Sequence, residues 1–129
     1  MNGKKHIGKE LNIISNKIRR RIDNEVAKYG ITGVQGKIIG FVYCESKKRD
    51  VFQKDIEEEF SINRSTTSEM LKLMCQKGMI QRVAVVHDAR LKKIVLTDQS
   101  REFNARMSRQ MELIHHRLVD GLTDEEIEF

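Results

Sequence analysis

A short run of polar residues, Arg64-Ser65-Thr66-Thr67-Ser68, is the part of this sequence best suited to contact a nucleic acid. An arginine can donate two hydrogen bonds to the edge of a guanine, and hydroxyl groups can bind either phosphates or bases. Asn63 precedes the run and is a favourable N-cap, so we expect a helix to begin there. Because the amides of a helix N-terminus also favour an anionic phosphate, the run predicts the start of a DNA-recognition helix.

The remainder of this helix has two different faces. Thr67, Met70, Leu71 and Met74 recur at intervals of three and four residues, which predicts one buried stripe. The residues expected on the outer face, where DNA would lie, are Arg64, Ser65, Ser68, Glu69 and Lys72. An alternative interpretation is that the hydroxyl side chains only cap and solvate the helix, and the helix alone does not decide between the two.

The segment after this helix predicts a β-hairpin with a polar tip. Gly78 lies where the end of a helix favours left-handed backbone, and residues 80–86 and 92–97 are rich in β-branched side chains. The predicted tip comprises His87, Asp88, Ala89, Arg90 and Leu91. Arg90 is suited to a narrow minor groove, with Asp88 orienting its guanidinium, although the pair could also be a surface ion pair of little energetic value.

Two long amphipathic helices are predicted outside this unit. Their apolar seams are formed by Ile7, Leu11, Ile14, Ile18 and Ile22 near one terminus, and by Phe103, Met107, Met111, Ile114, Leu118 and Leu122 near the other. The seams could pair within one chain, or a second copy could cover them around a twofold axis. The predicted fold class is mostly α with a small β-hairpin wing, a winged helix-turn-helix flanked by long terminal dimerisation helices.

Composition and charge agree with this interpretation. The chain has 129 residues, no proline and a net charge of +5, which fits one mostly helical domain. Residues 61–93 hold seven Lys or Arg against two acids, whereas residues 110–129 hold one Arg against six acids, so positive potential is concentrated on the predicted reading unit. No segment has the roughly 20 apolar residues of a membrane span, and we expect a cytoplasmic protein.

The sequence gives no sign of catalysis. It has no phosphate-binding glycine loop, no nucleophile motif and no HExxH or CxxC pattern, so we expect neither an enzyme nor a bound cofactor or metal. Glu112 and His116 share a helix face beside His115, but a stable site needs three or four ligands. Cys44 and Cys75 fall in predicted helices and are expected to be buried thiols.

An ordered set of motifs resembles the MarR family of bacterial transcriptional regulators. The matching segments are Ile31-Thr32-x-x-Gln35, Gln53-Lys54-Asp55-Ile56, Arg64-Ser65-Thr66-Thr67-Ser68, Lys77-Gly78-Met79-Ile80, Asp88-x-Arg90 and Val95-Leu96-Thr97. The resemblance covers about residues 7–128. Three positions depart from the family pattern: Phe52 replaces a capping Thr, Glu57 a small Ala, and Ser61 a frequent Gly.

The resemblance implies a sequence-specific regulator of double-stranded DNA, binding a pseudo-palindromic operator as a homodimer and acting as a repressor relieved by a small effector. The DNA-binding residues so assigned are Lys54, Arg64, Ser65, Thr66, Ser68, Glu69, Lys72, Asp88 and Arg90. The departures leave an alternative open, a winged-helix protein-interaction module without sequence-specific DNA binding. A single domain is expected over residues 1–129, with a core at about 32–97, dimerisation helices at about 5–29 and 98–119, and a truncated last helix from about 123.

The resemblance also implies an effector site between the terminal helices and the winged unit. Gly36 and Gly40 lie one turn apart in a predicted helix, at a cost of roughly 1 kcal/mol each relative to Ala. Close helix packing would offset this cost, and so would a function in lining a cavity. The residues assigned to an effector pocket are Arg19, Gly36, Gly40, Phe41 and Tyr43.

Overall fold

The chain is described by a computed structural model over residues 2–120, which form five helices and one antiparallel hairpin. The elements are α1 (Asn2–Lys28), α2 (Gly33–Glu45), α3 (Gln53–Phe60), α4 (Arg64–Gln76), β1 (Ile80–Val85), β2 (Asp88–Leu96) and α5 (Asp98–Asp120). The predicted fold class is confirmed. The truncated last helix expected from about residue 123 lies outside the described residues. Across residues 2–120, no helix is both long enough and apolar enough to span a membrane.

Local hydrogen bonds fix the start of α2. The Gln35 amide donates to Thr32 Oγ1 at 3.2 Å, and the Thr32 amide donates to Gln35 Oε1 at 3.1 Å. This reciprocal pair is a capping box, in which two orphan donors of a helix N-terminus are satisfied together. α2 can therefore present its buried side chains, Ile38, Ile39 and Val42, to the core in a fixed orientation.

The N-cap residue of α3 is Phe52, whose side chain cannot accept a hydrogen bond. The start of the helix is held by Asp55 instead, because Asp55 Oδ2 accepts the Phe52 amide at 2.8 Å and the Asp55 amide donates to the Phe52 carbonyl at 3.0 Å. Arg49 Nη1 lies 2.9 Å from the same Asp55 oxygen, and Arg49 Nε contacts Glu45 at 3.3 Å. The hydrogen bond to Asp55 raises the pKa of Arg49 above its ordinary value. The Phe52 departure from the family pattern thus leaves the start of α3 fixed.

The hydrophobic core lies where the helices meet the hairpin. Ile94 of β2 donates its amide to the Val51 carbonyl at 2.7 Å, which joins the segment before α3 to the edge of the sheet. The buried apolar residues are Val26, Ile31, Ile38, Ile39, Val42, Val51, Ile56, Leu71, Met74, Met79, Ile80, Ile94, Leu96 and Phe103. The core therefore includes residues of every element, and it fixes α4 and the hairpin relative to each other.

The hairpin differs from its predicted form. Val85 pairs with Asp88, so the turn consists of residues 86–87 alone, and the expected five-residue tip is wrong. The next pair along the ladder is Ala84 with Lys92, which leaves residues 89–91 as a bulge in β2. Asp88 and Arg90 therefore belong to a strand beside the turn, where Asp88 pairs with Val85 and Arg90 lies in the bulge.

The two glycines of α2 have different surroundings. A Cβ atom at Gly36 would lie 3.2 Å from Phe103 Cζ and 3.3 Å from Val26 Cγ1, so this glycine permits close packing of α2 against α1 and α5. A Cβ atom at Gly40 would meet only Asn104 Oδ1, at 3.9 Å. The packing explanation therefore holds for Gly36, whereas Gly40 leaves open space beside the helix.

Both cysteines lie in helices as free thiols, but the expectation that both are buried is wrong. Cys44 is exposed and Cys75 is half-buried. Cys44 lies on the outer face of α2, since the core-facing side of that helix is taken by Ile38, Ile39 and Val42.

Replacing Gly36 or Gly40 of α2 by alanine should separate the effect of helix propensity from the effect of packing. We expect Gly40→Ala to raise the free energy of unfolding by about 0.5–1 kcal/mol, because the helix gains propensity and nothing is displaced. Gly36→Ala should gain less than Gly40→Ala or should destabilise, because Phe103 and Val26 must move. Denaturant unfolding at one fixed protein concentration measures both variants. A larger gain for Gly36→Ala than for Gly40→Ala would show that packing does not restrict Gly36.

Candidate nucleic-acid interface

The start of α4 is fixed by its N-cap. Asn63 Oδ1 accepts the Thr66 amide at 2.7 Å, and Thr67 Oγ1 donates to the Asn63 carbonyl at 2.8 Å. Thr67 is fully buried, so the cap is anchored in the core. Because the cap is anchored, Arg64 and Ser65 leave the first turn in defined directions.

A hydrogen bond between side chains holds α3 against α4. Gln53 Nε2 donates to Ser68 Oγ at 2.8 Å and lies 3.5 Å from the Arg64 carbonyl. Ser68 was expected on the outer face, but its side chain is half-buried and its oxygen accepts from Gln53. Its main structural contribution is to set the spacing of the two helices, although it also borders the outer face.

The end of α4 is held by two other parts of the chain. Gly78 follows the helix with φ of +73°, a conformation that favours glycine. Thr97 Oγ1, at the start of α5, donates to the Gly78 carbonyl at 2.6 Å. Lys77 Nζ donates to the Gly30 carbonyl in the connection between α1 and α2. The recognition helix is therefore fixed at both ends.

The outer face of α4 is polar and borders a groove against β1. The groove has a volume of about 540 Å³ and is lined by Ser65, Ser68, Glu69, Lys72, Cys75 and Arg82. We call it the interface groove. Lys72 and Arg82 are exposed, and neither forms an ion pair with any residue that the structure describes. Two free cations across one groove can hold a backbone phosphate.

Arg82 is a candidate that the sequence interpretation did not assign. Side chains alternate along a strand, so Ile80 and Arg82 share one face of β1. Ile80 is buried in the core that α4 also enters, which indicates that Arg82 faces α4. The period of two was visible in the sequence, but the side of the strand that meets α4 was not.

Arg90 is exposed to solvent near the tip of the wing. Asp88 Oδ1 accepts the Arg90 amide at 2.9 Å and lies 3.6 Å from Arg90 Nε, while the Arg90 side chain is 95% exposed. The carboxylate thus restrains the backbone of the bulge more firmly than it restrains the guanidinium. The neighbouring Val86, in the turn, is 96% exposed.

The other assigned residues lie on the same helices. Thr66 and Glu69 are exposed on α4, and Lys54 is exposed in the first turn of α3. Glu57 is half-buried in α3, and its carbonyl accepts the Ile62 amide at 3.1 Å. Ser61 has φ of +52°, a left-handed conformation that favours glycine, as the family pattern suggests.

A larger cavity lies between α1, α2 and α5. It has a volume of about 970 Å³, and we call it the helix cavity. Its apolar lining comprises Ile18, Ile22, Val26, Val34, Phe103, Met107 and Met111, and its charged lining comprises Arg19, Asp23, Lys37 and Glu112. Of the residues assigned to an effector pocket, Arg19, Gly36 and Gly40 line this cavity.

Phe41 and Tyr43, which were also assigned to an effector pocket, do not line the helix cavity. The Phe41 ring packs edge-to-face on Phe60, with centroids 5.9 Å apart. Tyr43 lies beneath Lys47, whose Nζ is 4.2 Å from the ring centroid. Phe41 lies one position after Gly40, about 100° around the helix, and Tyr43 lies further along in the last turn of α2.

Within the part of the chain that the structure describes, no three His, Cys, Asp or Glu side chains cluster as metal ligands.

Comparison with known proteins agrees with this geometry. The MarR family matches residues 29–91. The chain is 32% identical to the transcription regulator MarR from Oenococcus oeni, covering 95% of this chain and 91% of that one, with a TM-score of 0.65. It is 26% identical to S. aureus MepR in a DNA complex, covering 91% and 86% of the two chains, with a TM-score of 0.81. S. aureus MepR bound to ethidium bromide is 25% identical, with coverage of 94% and 86% and a TM-score of 0.76. No curated protein sequence matches the chain.

The interface groove predicts how DNA affinity depends on salt. Lys72→Ala and Arg82→Ala should each weaken binding to all duplexes alike and lower the salt slope by about one unit, because each variant loses one phosphate contact. Fluorescence anisotropy at several salt concentrations measures the slope. Arg109→Ala, which removes an exposed cation from α5, is the matched control and should leave the slope unchanged. If Arg82→Ala behaved like Arg109→Ala, the groove would not hold a phosphate at β1.

Proposed function

This chain belongs to the MarR family of DNA-binding transcriptional regulators, and on that basis we propose that it is a homodimeric repressor released from its operator by a small effector. We infer the DNA contacts from the exposed cationic side chains on the outer face of α4. Arg64 and Lys72 are exposed there, and neither is paired with a described acid. The cap at Asn63 aims the first turn of α4 outward.

The contacts divide between base readout and anchoring. We assign Arg64 to a guanine, because it lies in the first turn, where a recognition helix enters the major groove. Ser65 and Thr66 are exposed beside it and are suited to bases or phosphates. Ser68 has its oxygen occupied by Gln53, so we assign it to backbone contacts through its remaining donor.

The terminal helices support the homodimer. Leu11 of α1 is 53% exposed, and Met111 and Leu113 of α5 are 49% and 53% exposed. Large apolar side chains on two long helices favour burial against another molecule. A second copy placed around a twofold axis would cover both helices and would present two copies of α4 to DNA.

The helix cavity supports release by an effector. It combines a mostly apolar lining with a few charges, the usual composition of a small-molecule site. α5 lines the cavity and directly follows Thr97, whose hydroxyl holds the end of α4 through Gly78. A ligand that displaced α5 would therefore act on the recognition helix. One structural relative, S. aureus MepR, has been described with ethidium bound, and we extend ligand binding to this chain.

Arg64→Ala tests base readout. It should cost about 1–3 kcal/mol on the preferred duplex and relax the preference at one base pair, since the bidentate contact to guanine is lost. Lys72→Ala is the matched comparison, because it should weaken specific and random duplexes equally. Competition assays with single-base variants of the preferred site measure both. Equal losses on specific and random DNA for Arg64→Ala would reassign Arg64 to the backbone.

Arg90→Ala tests the wing. Binding should weaken most on duplexes with A·T-rich flanks, because a narrow minor groove concentrates the negative potential that an arginine senses. Asp88→Ala should act in the same direction but more mildly, because Asp88 restrains the bulge rather than contacting DNA. Since the Arg90 side chain is 95% exposed, its loss should change stability by no more than roughly 0.5 kcal/mol. Titration against two duplexes that differ only in their flanks measures the effect. Unchanged affinity for both duplexes would mean that Arg90 does not contact DNA.

Gly40→Leu tests the helix cavity. The added side chain should occupy the open space beside Gly40 and weaken binding of ethidium, used as the probe, by about tenfold or more. DNA bound by this variant should also resist release by ethidium. Gly40→Ala is the control, because a single methyl group fills little of the cavity. Equal ethidium affinity in both variants would place the dye elsewhere.

A further inference from the structure

A smaller cleft of about 310 Å³ lies at the base of the wing and shares no lining residue with the interface groove or the helix cavity. Four parts of the chain meet there: the end of α2, the connection to α3, strand β2 and the first turn of α5. The lining residues are Tyr43, Ser46, Lys47, Asp50, Val51, Lys93, Ile94, Val95, Leu96 and Arg101. Neither the proposed DNA contacts nor the proposed effector site uses this cleft.

The apolar part of the cleft rests on the packed core. Val51, Ile94 and Leu96 are 1%, 3% and 6% exposed and form its floor, whereas the half-buried Tyr43 and Val95 supply its accessible apolar surface. The 2.7 Å hydrogen bond from the Ile94 amide to the Val51 carbonyl joins the two sides. A ligand would meet a preformed apolar surface here, which limits the conformational entropy that binding must offset.

The rim of the cleft is cationic. It carries Lys47, Lys93 and Arg101 against the single carboxylate of Asp50, a net charge of +2. The Asp50 carboxylate already forms an ion pair with Lys93, with Oδ1 3.6 Å from Nζ. Arg101 has only a 3.9 Å contact with Asp98, which is fully exposed, so this ion pair competes weakly with a ligand.

Lys47 and Arg101 offer complementary ways to bind an anion. The Lys47 ammonium lies over the Tyr43 ring, with Nζ 4.2 Å from the centroid, which holds a point charge beside an aromatic face. The Arg101 guanidinium is a planar fork that can donate to two oxygens of one phosphate or carboxylate group. The cleft can thus bind two oxygens of a ligand and contact an adjacent apolar group.

We propose that this cleft binds a small dianion with a compact apolar portion, of the phosphate monoester class. The two negative charges match the net charge of the rim, and the apolar portion packs beside Tyr43 and Val95. The volume, near the lower limit of small-molecule sites, restricts the ligand to a compact molecule. The ligand joins β2 to α2, and β2 is also the strand that carries Arg90.

Isothermal titration of the full-length protein with phenyl phosphate tests the proposal. Near pH 7.5 a phosphate monoester is mostly dianionic, because its second pKa is about 6. Phenyl phosphate should bind about tenfold more tightly than inorganic phosphate, which lacks the apolar group, and than benzoate, which has one charge. Equal affinity for phenyl phosphate and benzoate would overturn the dianion assignment, and no binding of phenyl phosphate at millimolar concentration would overturn the site.

Substitutions locate the binding. Lys47→Gln and Arg101→Gln should each weaken phenyl phosphate binding about tenfold, the loss of one charged contact. Lys48→Gln is the matched control, an exposed neighbour that does not line the cleft, and Arg19→Gln controls for the helix cavity. Both controls should bind like the unmodified chain. Equal affinity in all four variants, or a loss only in Arg19→Gln, would overturn the assignment.

A competition with DNA distinguishes a free ligand from the phosphates of the duplex. If the cleft takes a small molecule, saturating duplex DNA leaves phenyl phosphate bound. If DNA displaces phenyl phosphate mole for mole, and Lys47→Gln and Arg101→Gln also lower DNA affinity, the cleft holds the DNA backbone and the proposal is wrong.

Discussion

The DNA-reading surface depends on how both ends of α4 are held. At the start, Asn63 caps the helix and Gln53 bridges to Ser68, so α3 sets the position of the first turn. At the end, Gly78 closes the helix and is hydrogen-bonded by Thr97. A recognition helix works only if its first residues reach base edges in a fixed register, and these contacts supply that register.

The contacts at the end of α4 also connect this helix to the terminal helices. Thr97 directly precedes α5, which lines the helix cavity, and Lys77 binds the carbonyl of Gly30 in the connection after α1. A change in the terminal helices therefore has a short physical route to the end of α4. The start of α4 is held instead by Gln53, which belongs to α3. In the proposed function the two ends of α4 thus have different tasks: the start fixes the register, and the end responds to the terminal helices.

Features set by local geometry could be predicted from the sequence, and those set by packing could not. The caps at Thr32 and Asn63 depend on residues three positions apart, so their side chains were informative by themselves. The hairpin turn was misplaced because the bulge at residues 89–91 depends on pairing between strands. Similarly, the sequence placed Phe41 beside Gly40 but did not show that its ring packs on Phe60. Arg82 was missed for the same reason, because the face of β1 is decided by its contact with α4.

A twofold dimer that presents two copies of α4 to successive major grooves is central to the proposed function. Hydroxyl-radical footprinting on a duplex selected from a random pool tests this dimer most directly. We expect two protected half-sites about one helical turn, roughly 10 bp, apart on one face of the DNA. Protection of a single half-site, by a protein that light scattering shows to be monomeric at micromolar concentration, would contradict it.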